Sequence, residues 1–305
     1  FEDDSLAYLV SFFSICLVLF LFCFSVKIRL IKQLTETEDL KDMGIYAVTG
    51  GSSGIGAKTV ELLKQKGHEV LNIDLRGGDI TADLSKQEGR LHVIDELHRL
   101  CPDGLDGLIC NAGVSGACGN LKLIVSLNFF GTVVLIKGAY DLLKKKHGAC
   151  VVTSSNTISQ GAARMDIADL LNNNNEDEQR ILNVISRLDE SDLSVGNSIY
   201  VASKYALARW VRRHSATYAA NGVRINAVAP GNVNTAMTAT LATNARMALN
   251  ALPIPTKYGQ ETLMDPEEIA SVIVFLSSDE ARGVNGNVMF VDGGTDALLN
   301  TEKVY

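Results

Sequence analysis

The 305 residues include 28 basic and 35 acidic side chains, a formal net charge of −7, and 47% of them are hydrophobic. That is an ordinary globular mixture, and mild acidity without a basic stripe argues against nucleic acid as a partner. The six cysteines form no CxxC pair and the five histidines show no ligand spacing, so neither a metal site nor a disulfide framework is expected.

In chain order the first element is apolar. Residues 6–26 read LAYLVSFFSICLVLFLFCFSV, an uncharged run long enough to cross a bilayer as a helix. Glu2, Asp3 and Asp4 precede it, and Lys27, Arg29 and Lys32 follow it. The positive-inside rule would leave everything after it in the cytoplasm. A second reading stands beside this one. The chain begins with Phe1, Met43 stands directly before GIYAVTGG, and T-rich noncoding DNA also translates into runs of Phe, Leu, Ser and Cys. Residues 1–42 are therefore read as a membrane anchor or as a mis-extended N-terminus, and residues 43–305 as one cytoplasmic domain.

From Met43 onward, apolar runs at 45–49, 69–74, 107–110, 149–154, 223–229 and 287–291 predict strands. Amphipathic segments at 55–66, 86–100, 121–144, 199–220 and 266–277 predict helices. Strict alternation of this kind implies a parallel sheet covered on both faces, a doubly wound α/β fold. Gly67 and Gly222 stand where helix C-caps are expected. Residues 160–194 interrupt the alternation. They contain NNNNEDEQR and then ILNVISRL, whose Ile181, Val184, Ile185 and Leu188 share one helical face, so a loop with one or two short helices is expected there.

Between the first strand and the first helix lies Thr49-Gly50-Gly51-Ser52-Ser53-Gly54-Ile55-Gly56. Glycines at 50, 54 and 56 allow a tight turn and a close backbone approach to a pyrophosphate, which the helix N-terminus would also attract. Asp74 ends the next strand, where a carboxylate accepts hydrogen bonds from adenine-ribose hydroxyls and repels a 2′-phosphate. NAD is therefore expected in preference to NADP, with Arg76 as the counter-argument.

Further along stands Ser198-Ile199-Tyr200-Val201-Ala202-Ser203-Lys204. Residues four apart on a helix are neighbours, so the Lys204 charge could lower the Tyr200 pKa from its reference value near 10. A tyrosine so placed can exchange a proton with a carbonyl or alcohol oxygen.

With these motifs in hand, the chain resembles the short-chain dehydrogenase/reductase family. The resemblance rests on TGGSSGIG (49–56), Asp83-Leu84, Asn111-Ala112-Gly113, Asn128, Ser154-Ser155, YVASK (200–204), PGNVNT (230–235) and VDGG (291–294), and it spans nearly all of 43–305. It implies a Rossmann-type fold and an oxidoreductase that moves a hydride between a nicotinamide cofactor and a secondary alcohol or ketone. It also implies Asn128, Ser155, Tyr200 and Lys204 as catalytic residues, with Ser155 holding the substrate oxygen and Asn128 holding a water in a distorted helix. Thr49, Gly50, Ser52, Ser53, Gly54, Ile55, Gly56, Asp74, Asp83, Leu84, Asn111, Ala112, Gly113, Tyr200, Lys204, Pro230, Gly231, Val233 and Thr235 would surround the cofactor. A homo-oligomer, dimer or tetramer, is implied as well.

Within the family the outline is most like the bacterial 3α-hydroxysteroid dehydrogenase/carbonyl reductase subgroup, which points to an apolar alcohol or ketone. The compressed segment between Asp74 and Asp83, the short span from Gly113 to Asn128 and the insertion before Tyr200 carry that likeness. Coniferyl-type aromatic alcohol dehydrogenases share the outline, and a non-catalytic dinucleotide sensor is the alternative from another class. Residues 158–165 are expected to wall the substrate cleft and 181–188 to pack back on the domain, hindering the family's pairing through helix 199–220.

Overall fold

The computed structural model describes residues 26–27, 43–173, 177–239, 252–257 and 263–304. The chain divides into two compact units, Phe1–Met43 and Gly44–Tyr305. Of the first, only helical Val26 and Lys27 and the terminal Met43 are described, so the apolar run at 6–26 otherwise lies outside the described residues.

The second unit is built on one seven-stranded sheet, every pairing parallel. Its strands are β1 (Ile45–Thr49), β2 (Glu69–Asp74), β3 (Ile80–Thr81), β4 (Gly107–Cys110), β5 (Ala149–Thr153), β6 (Arg224–Pro230) and β7 (Val288–Val291). They lie in the order β3-β2-β1-β4-β5-β6-β7. A parallel strand covered on both faces is apolar throughout rather than alternating, and every residue of β4 and β5 is buried. The order reverses between β1 and β4, and ligands of such sheets bind in the crevice at the carboxyl ends of the strands flanking that point.

One face of the sheet carries α1 (Gly54–Gln65) and, late in the chain, Pro266–Ser277; Leu63, Ile269 and Ile273 fill the layer between them and the strands. The other face carries α2 (Gln87–Leu100), then α3 (Leu121–Val125), α4 (Gly131–Gly138) and α5 (Tyr140–Lys146), with Val93, Phe129 and Trp210 in its core. Phe129 and Phe130 are fully buried and meet edge to face at 5.3 Å, an arrangement worth about 1 kcal/mol beyond the burial of their area. Among the described residues, Leu121–Gly138 is the one helical stretch long and apolar enough to span a membrane. With 67% of it buried inside the protein, it reads as a core helix.

Two expectations need correction here. The segment 121–144 is not one helix: a π-turn at Ser126–Phe130 separates α3 from α4, and Ala139 interrupts it again. The two-residue edge strand β3 was not anticipated, because Ile80-Thr81 is too short to show a period.

The insertion forms α6 (Met165–Asn173) and α7 (Glu178–Ile185), followed by α8 (Leu193–Ala219), α9 (Pro266–Ser277) and α10 (Thr295–Leu299). The helix α8 starts six residues before the expected 199, because the Asp192 side chain accepts from Ser194 N and caps it. Ile181 and Ile185 are fully buried in the main core, as the shared apolar face required.

Candidate active site

The chain turns sharply after β1. Gly50 and Gly54 have φ of 69° and 53°, a region side chains rarely adopt. A Cβ on Gly56 would stand 2.1 Å from the Gly50 carbonyl oxygen, so the loop closes on the start of α1 only because that atom is missing. Thr49 Oγ1 accepts from both Asn111 N and Ala112 N at 3.0 Å, fastening the end of β1 to the end of β4.

The carboxylate of Asp74 is held from two sides. Ser52 N donates to it at 3.0 Å and Leu75 N at 2.7 Å. Ser52 Oγ donates in turn to Arg76 O, and Asn72 Nδ2 donates to Ser52 Oγ. The glycine turn and the end of β2 are therefore one hydrogen-bonded unit. Beyond them Asp83 accepts from Ser85 N and Oγ, and the Ser85 hydroxyl lowers its pKa.

At the other end, Ser155 caps a 3₁₀ turn (Asn156–Ser159), accepting from Thr157 N at 3.3 Å and Thr157 Oγ1 at 3.0 Å. Its hydroxyl also lies close enough to Tyr200 to lower the pKa of the phenol. The neighbouring Ser154 points elsewhere and donates to Lys204 O at 2.9 Å. Lys204 is 5% exposed, donates from Nζ to Thr153 O at 2.8 Å, and lies 5.9 Å from the Tyr200 ring centre. Burial lowers its pKa from 10.5 to about 8.

Burial raises the Tyr200 pKa above 10, and the nearby Ser155 hydroxyl offsets part of that rise. The expectation that Lys204 lowers it is thus corrected: in this arrangement desolvation outweighs the opposing influence, which comes from Ser155. Asn128 sits in the π-turn, where its amide accepts from Val114 N at 2.8 Å and donates to Val114 O at 3.0 Å. A Cβ on Gly113 would come within 2.9 Å of Asn128 Oδ1 and 3.4 Å of Lys204 Nζ. A side chain at 113 would therefore crowd both polar groups.

A single cleft of about 830 Å³ joins these regions, a size typical of a ligand site. Gly50, Ser53, Gly54, Ile55, Asp74, Asp83, Leu84, Asn111, Ala112, Gly113, Ser155, Tyr200, Lys204, Pro230, Gly231, Val233 and Thr235 all line it. Thr49, Ser52, Gly56 and Asn128 are not on its wall. They stand one layer behind and shape it: Thr49 and Asn128 through backbone clamps, Ser52 through Asp74, and Gly56 through its contact with Gly50. Sequence reasoning missed Leu193 and Asn197, which also line the cleft. The signal was a glycine pair: a Cβ on Gly196 would meet Gly116 O at 2.3 Å, and one on Gly116 would meet Asn197 Oδ1 at 2.6 Å. The start of α8 is thereby drawn against the loop after β4. From the insertion, Gln160 and Ala162 reach the wall, within the stretch 158–165 assigned to it.

The glycine cradle, the anchored carboxylate at the end of β2 and the continuous cleft fit a dinucleotide. Residues 45–168 match the family model described as short chain dehydrogenase, and residues 167–296 match one described as Enoyl-(Acyl carrier protein) reductase. The 3-alpha-hydroxysteroid dehydrogenase/carbonyl reductase of Comamonas testosteroni is 33% identical over 259 residues, which cover 84% of this chain and 98% of that protein. The chain belongs to the short-chain dehydrogenase family.

This short-chain dehydrogenase is similar in structure to the 3-alpha-hydroxysteroid dehydrogenase from Pseudomonas sp. B-0831, solved with NADH. The TM-score is 0.78 at 34% identity, over 85% of this chain and 100% of the other. A Beutenbergia cavernae structure with bound NADP aligns with TM-score 0.64 and 27% identity, over 83% of this chain and 97% of the other. The cis-4-hydroxycyclohexanecarboxylate dehydrogenase of Sinomonas cyclohexanicum is 29% identical over 83% of this chain and 97% of its own. As a short-chain dehydrogenase the protein is an oxidoreductase that uses a nicotinamide cofactor and interconverts alcohols and carbonyl compounds.

Proposed function

We propose that residues 43–305 form an NAD-dependent dehydrogenase of bulky, apolar secondary alcohols of hydroxysteroid type. The observation that carries this reading is the meeting of Ser155, Tyr200 and Lys204 on the wall of one cleft, which also includes apolar Val114, Leu193 and Met237. Tyr200, protonated as its raised pKa requires, gives its phenol proton to the carbonyl oxygen during reduction, and during oxidation takes the alcohol proton as its own passes to a neutral Lys204 amine. Ser155 holds that oxygen in line with the tyrosine. When bound, the dinucleotide supplies the hydride chemistry. Lys204, next to Tyr200 and 5% exposed, carries the proton away from the reacting oxygen, and Asn128 fixes the wall beside it.

The preference for NAD rests on Asp74. Its carboxylate is held by Ser52 N and Leu75 N and stands where a 2′-phosphate would be repelled. The insertion supports an oligomer that avoids the face of α8 bearing Arg209. That side chain donates to Asp169 Oδ1 and Ala168 O of α6, which covers it within the same chain.

A panel of steroid, aromatic and aliphatic alcohols, each offered with NAD and with NADP and followed by reduced-cofactor absorbance, tests the proposal. Fastest turnover of a hydroxysteroid with NAD is expected. Faster turnover of coniferyl-type alcohols would move the protein to the aromatic class, and binding of NAD without turnover of any alcohol would make it a sensor.

A further inference from the structure

Two buried side-chain polar atoms have no hydrogen-bond partner among the described residues, Asn72 Oδ1 and Gln160 Nε2. The second belongs to a residue that lines the cleft. An unsatisfied buried donor is costly, and a native protein that keeps one invites a functional explanation. The neighbours of Gln160 on the same turn offer no such opening. Thr157 donates to Ser155, and Asn156 Nδ2 donates to Asp292 Oδ2 at 3.3 Å. Ser159 O and Oγ are bonded to Asn300 and Asn156. Gln160 itself is anchored only by its backbone, N to Thr157 O at 3.1 Å. Its amide nitrogen is buried without a partner in this structure, while other atoms of the same residue line the cleft.

We infer that Gln160 is a specificity-determining residue whose side-chain amide donates to a second oxygen of the substrate, remote from the reacting alcohol. The inference rests on the dehydrogenase reading above. Gln160 lies five residues beyond Ser155, across a 3₁₀ turn. At a rise of about 2 Å per residue, that places its backbone roughly 10 Å from the oxygen-holding serine. The far end of a fused-ring alcohol spans such a distance, and a simple cyclohexanol does not. Terminal amide torsions are broad and two-fold, so turning the NH₂ group toward the ligand needs no backbone movement. The class selected is a polycyclic alcohol bearing a ketone, hydroxyl or carboxylate at the end opposite its carbinol. Between otherwise equal alcohols, the oxygen-free one leaves the amide unpaired and loses binding, the usual origin of discrimination by buried polar groups.

Androsterone and its analogue lacking the D-ring ketone are the probes, each oxidised with saturating NAD by the full chain. The wild type is expected to favour androsterone by about tenfold in kcat/KM, the worth of one neutral hydrogen bond. Gln160→Leu should erase that preference by raising KM for androsterone more than for the ketone-free steroid, with NAD affinity unchanged. Gln160→Glu, which sets a carboxylate against the ketone, should reverse the preference, and it reads the same ratio should the leucine variant not fold. Turnover of both steroids with one unaltered ratio in wild type and variants would overturn the inference alone. Failure of the wild type to oxidise either steroid would overturn the hydroxysteroid reading, and this inference with it.

Discussion

Lys204 Nζ donates to the carbonyl oxygen of Thr153 at 2.8 Å, tying the middle of α8 to the last residue of β5. The bond keeps the amine beside the tyrosine, but it is made inside the protein, and the environment disfavours the charge. The folded pKa falls from 10.5 to about 8 through burial.

The stability consequence has a definite sign. Between about pH 8 and pH 10.5 the unfolded chain holds a proton on Lys204 that the folded protein has lost, so stability rises with pH across that window. Below pH 8 both states are protonated and the fold carries the full cost of the buried charge, about 3 kcal/mol for a shift of this size. Lys204→Met removes the titration. The stability difference, variant minus wild type, should therefore be largest below pH 8 and shrink toward pH 10.5, as read by urea unfolding at fixed pH values. A difference independent of pH would contradict the buried-cation reading.

Tyr200→Phe removes one oxygen from the wall of the cleft. It leaves Ser155 its bonds from Thr157. Turnover should fall by about 10²–10⁴, the usual worth of a positioned acid–base group. NAD affinity measured by calorimetry should stay within about twofold. Retained turnover would move the acid–base role to another group.

Asp74→Ala unties Ser52 N and Leu75 N from their shared acceptor and removes the repulsion of a 2′-phosphate. The NAD-over-NADP ratio of kcat/KM should drop by at least about tenfold, given that bonds to charged acceptors are worth roughly 1.5–3 kcal/mol. An unchanged ratio would place cofactor choice outside β2.

The sheet was legible because buried parallel strands are short apolar runs with turn residues between them. GLIC and ACVVT announce themselves, and Pro266–Ser277 carries its capping box, Asp265 to Glu268, in plain view. What periodicity alone hid depends on contacts distant in sequence. The π-turn at Ser126–Phe130 matches the distorted helix around Asn128 that the family resemblance implied, and it coincides with the clamp of the Asn128 amide on Val114, which no periodicity reveals. The balance at Tyr200 was misjudged for the same reason: spacing shows a lysine nearby, but not how far the fold removes water from both groups.

Of the four described cysteines, only Cys118 is exposed. Burial pushes the Cys101 thiol up to about 11 and holds that of Cys150 well above 9. Thiolates, not thiols, react with alkylating reagents. Iodoacetamide at pH 8 followed by peptide mass mapping should label Cys118 and leave Cys101, Cys110 and Cys150 unmodified until denaturant is added. Labelling of Cys150 in the native protein would mean that β5 opens far more readily than its complete burial implies.

Arg90 joins α7 of the insertion to the segment that follows Asp83 and Leu84. Its side chain is 3% exposed and pairs with Glu178 at 2.7 Å, the first residue of α7. The same guanidinium donates to Lys86 O at 3.2 Å and Ser85 O at 3.4 Å, directly after Asp83 and Leu84 on the cleft wall. Arg90→Met breaks a nearly buried pair, but Glu178 is 24% exposed and regains water. The cost should therefore fall below the 3–5 kcal/mol typical of stranded buried charges, at about 2 kcal/mol. Two local effects should accompany it. Amide exchange should accelerate across Glu178–Ile185, because α7 loses its tether while Ile181 and Ile185 still hold it by packing. NAD should also bind more weakly at unchanged kcat, since the Asp83–Ser85 segment loses a support that the catalytic groups do not share. Glu178→Gln keeps the shape and should show the first effect only weakly. Uniform destabilisation without faster exchange in α7 would mean that the apolar face alone secures the insertion.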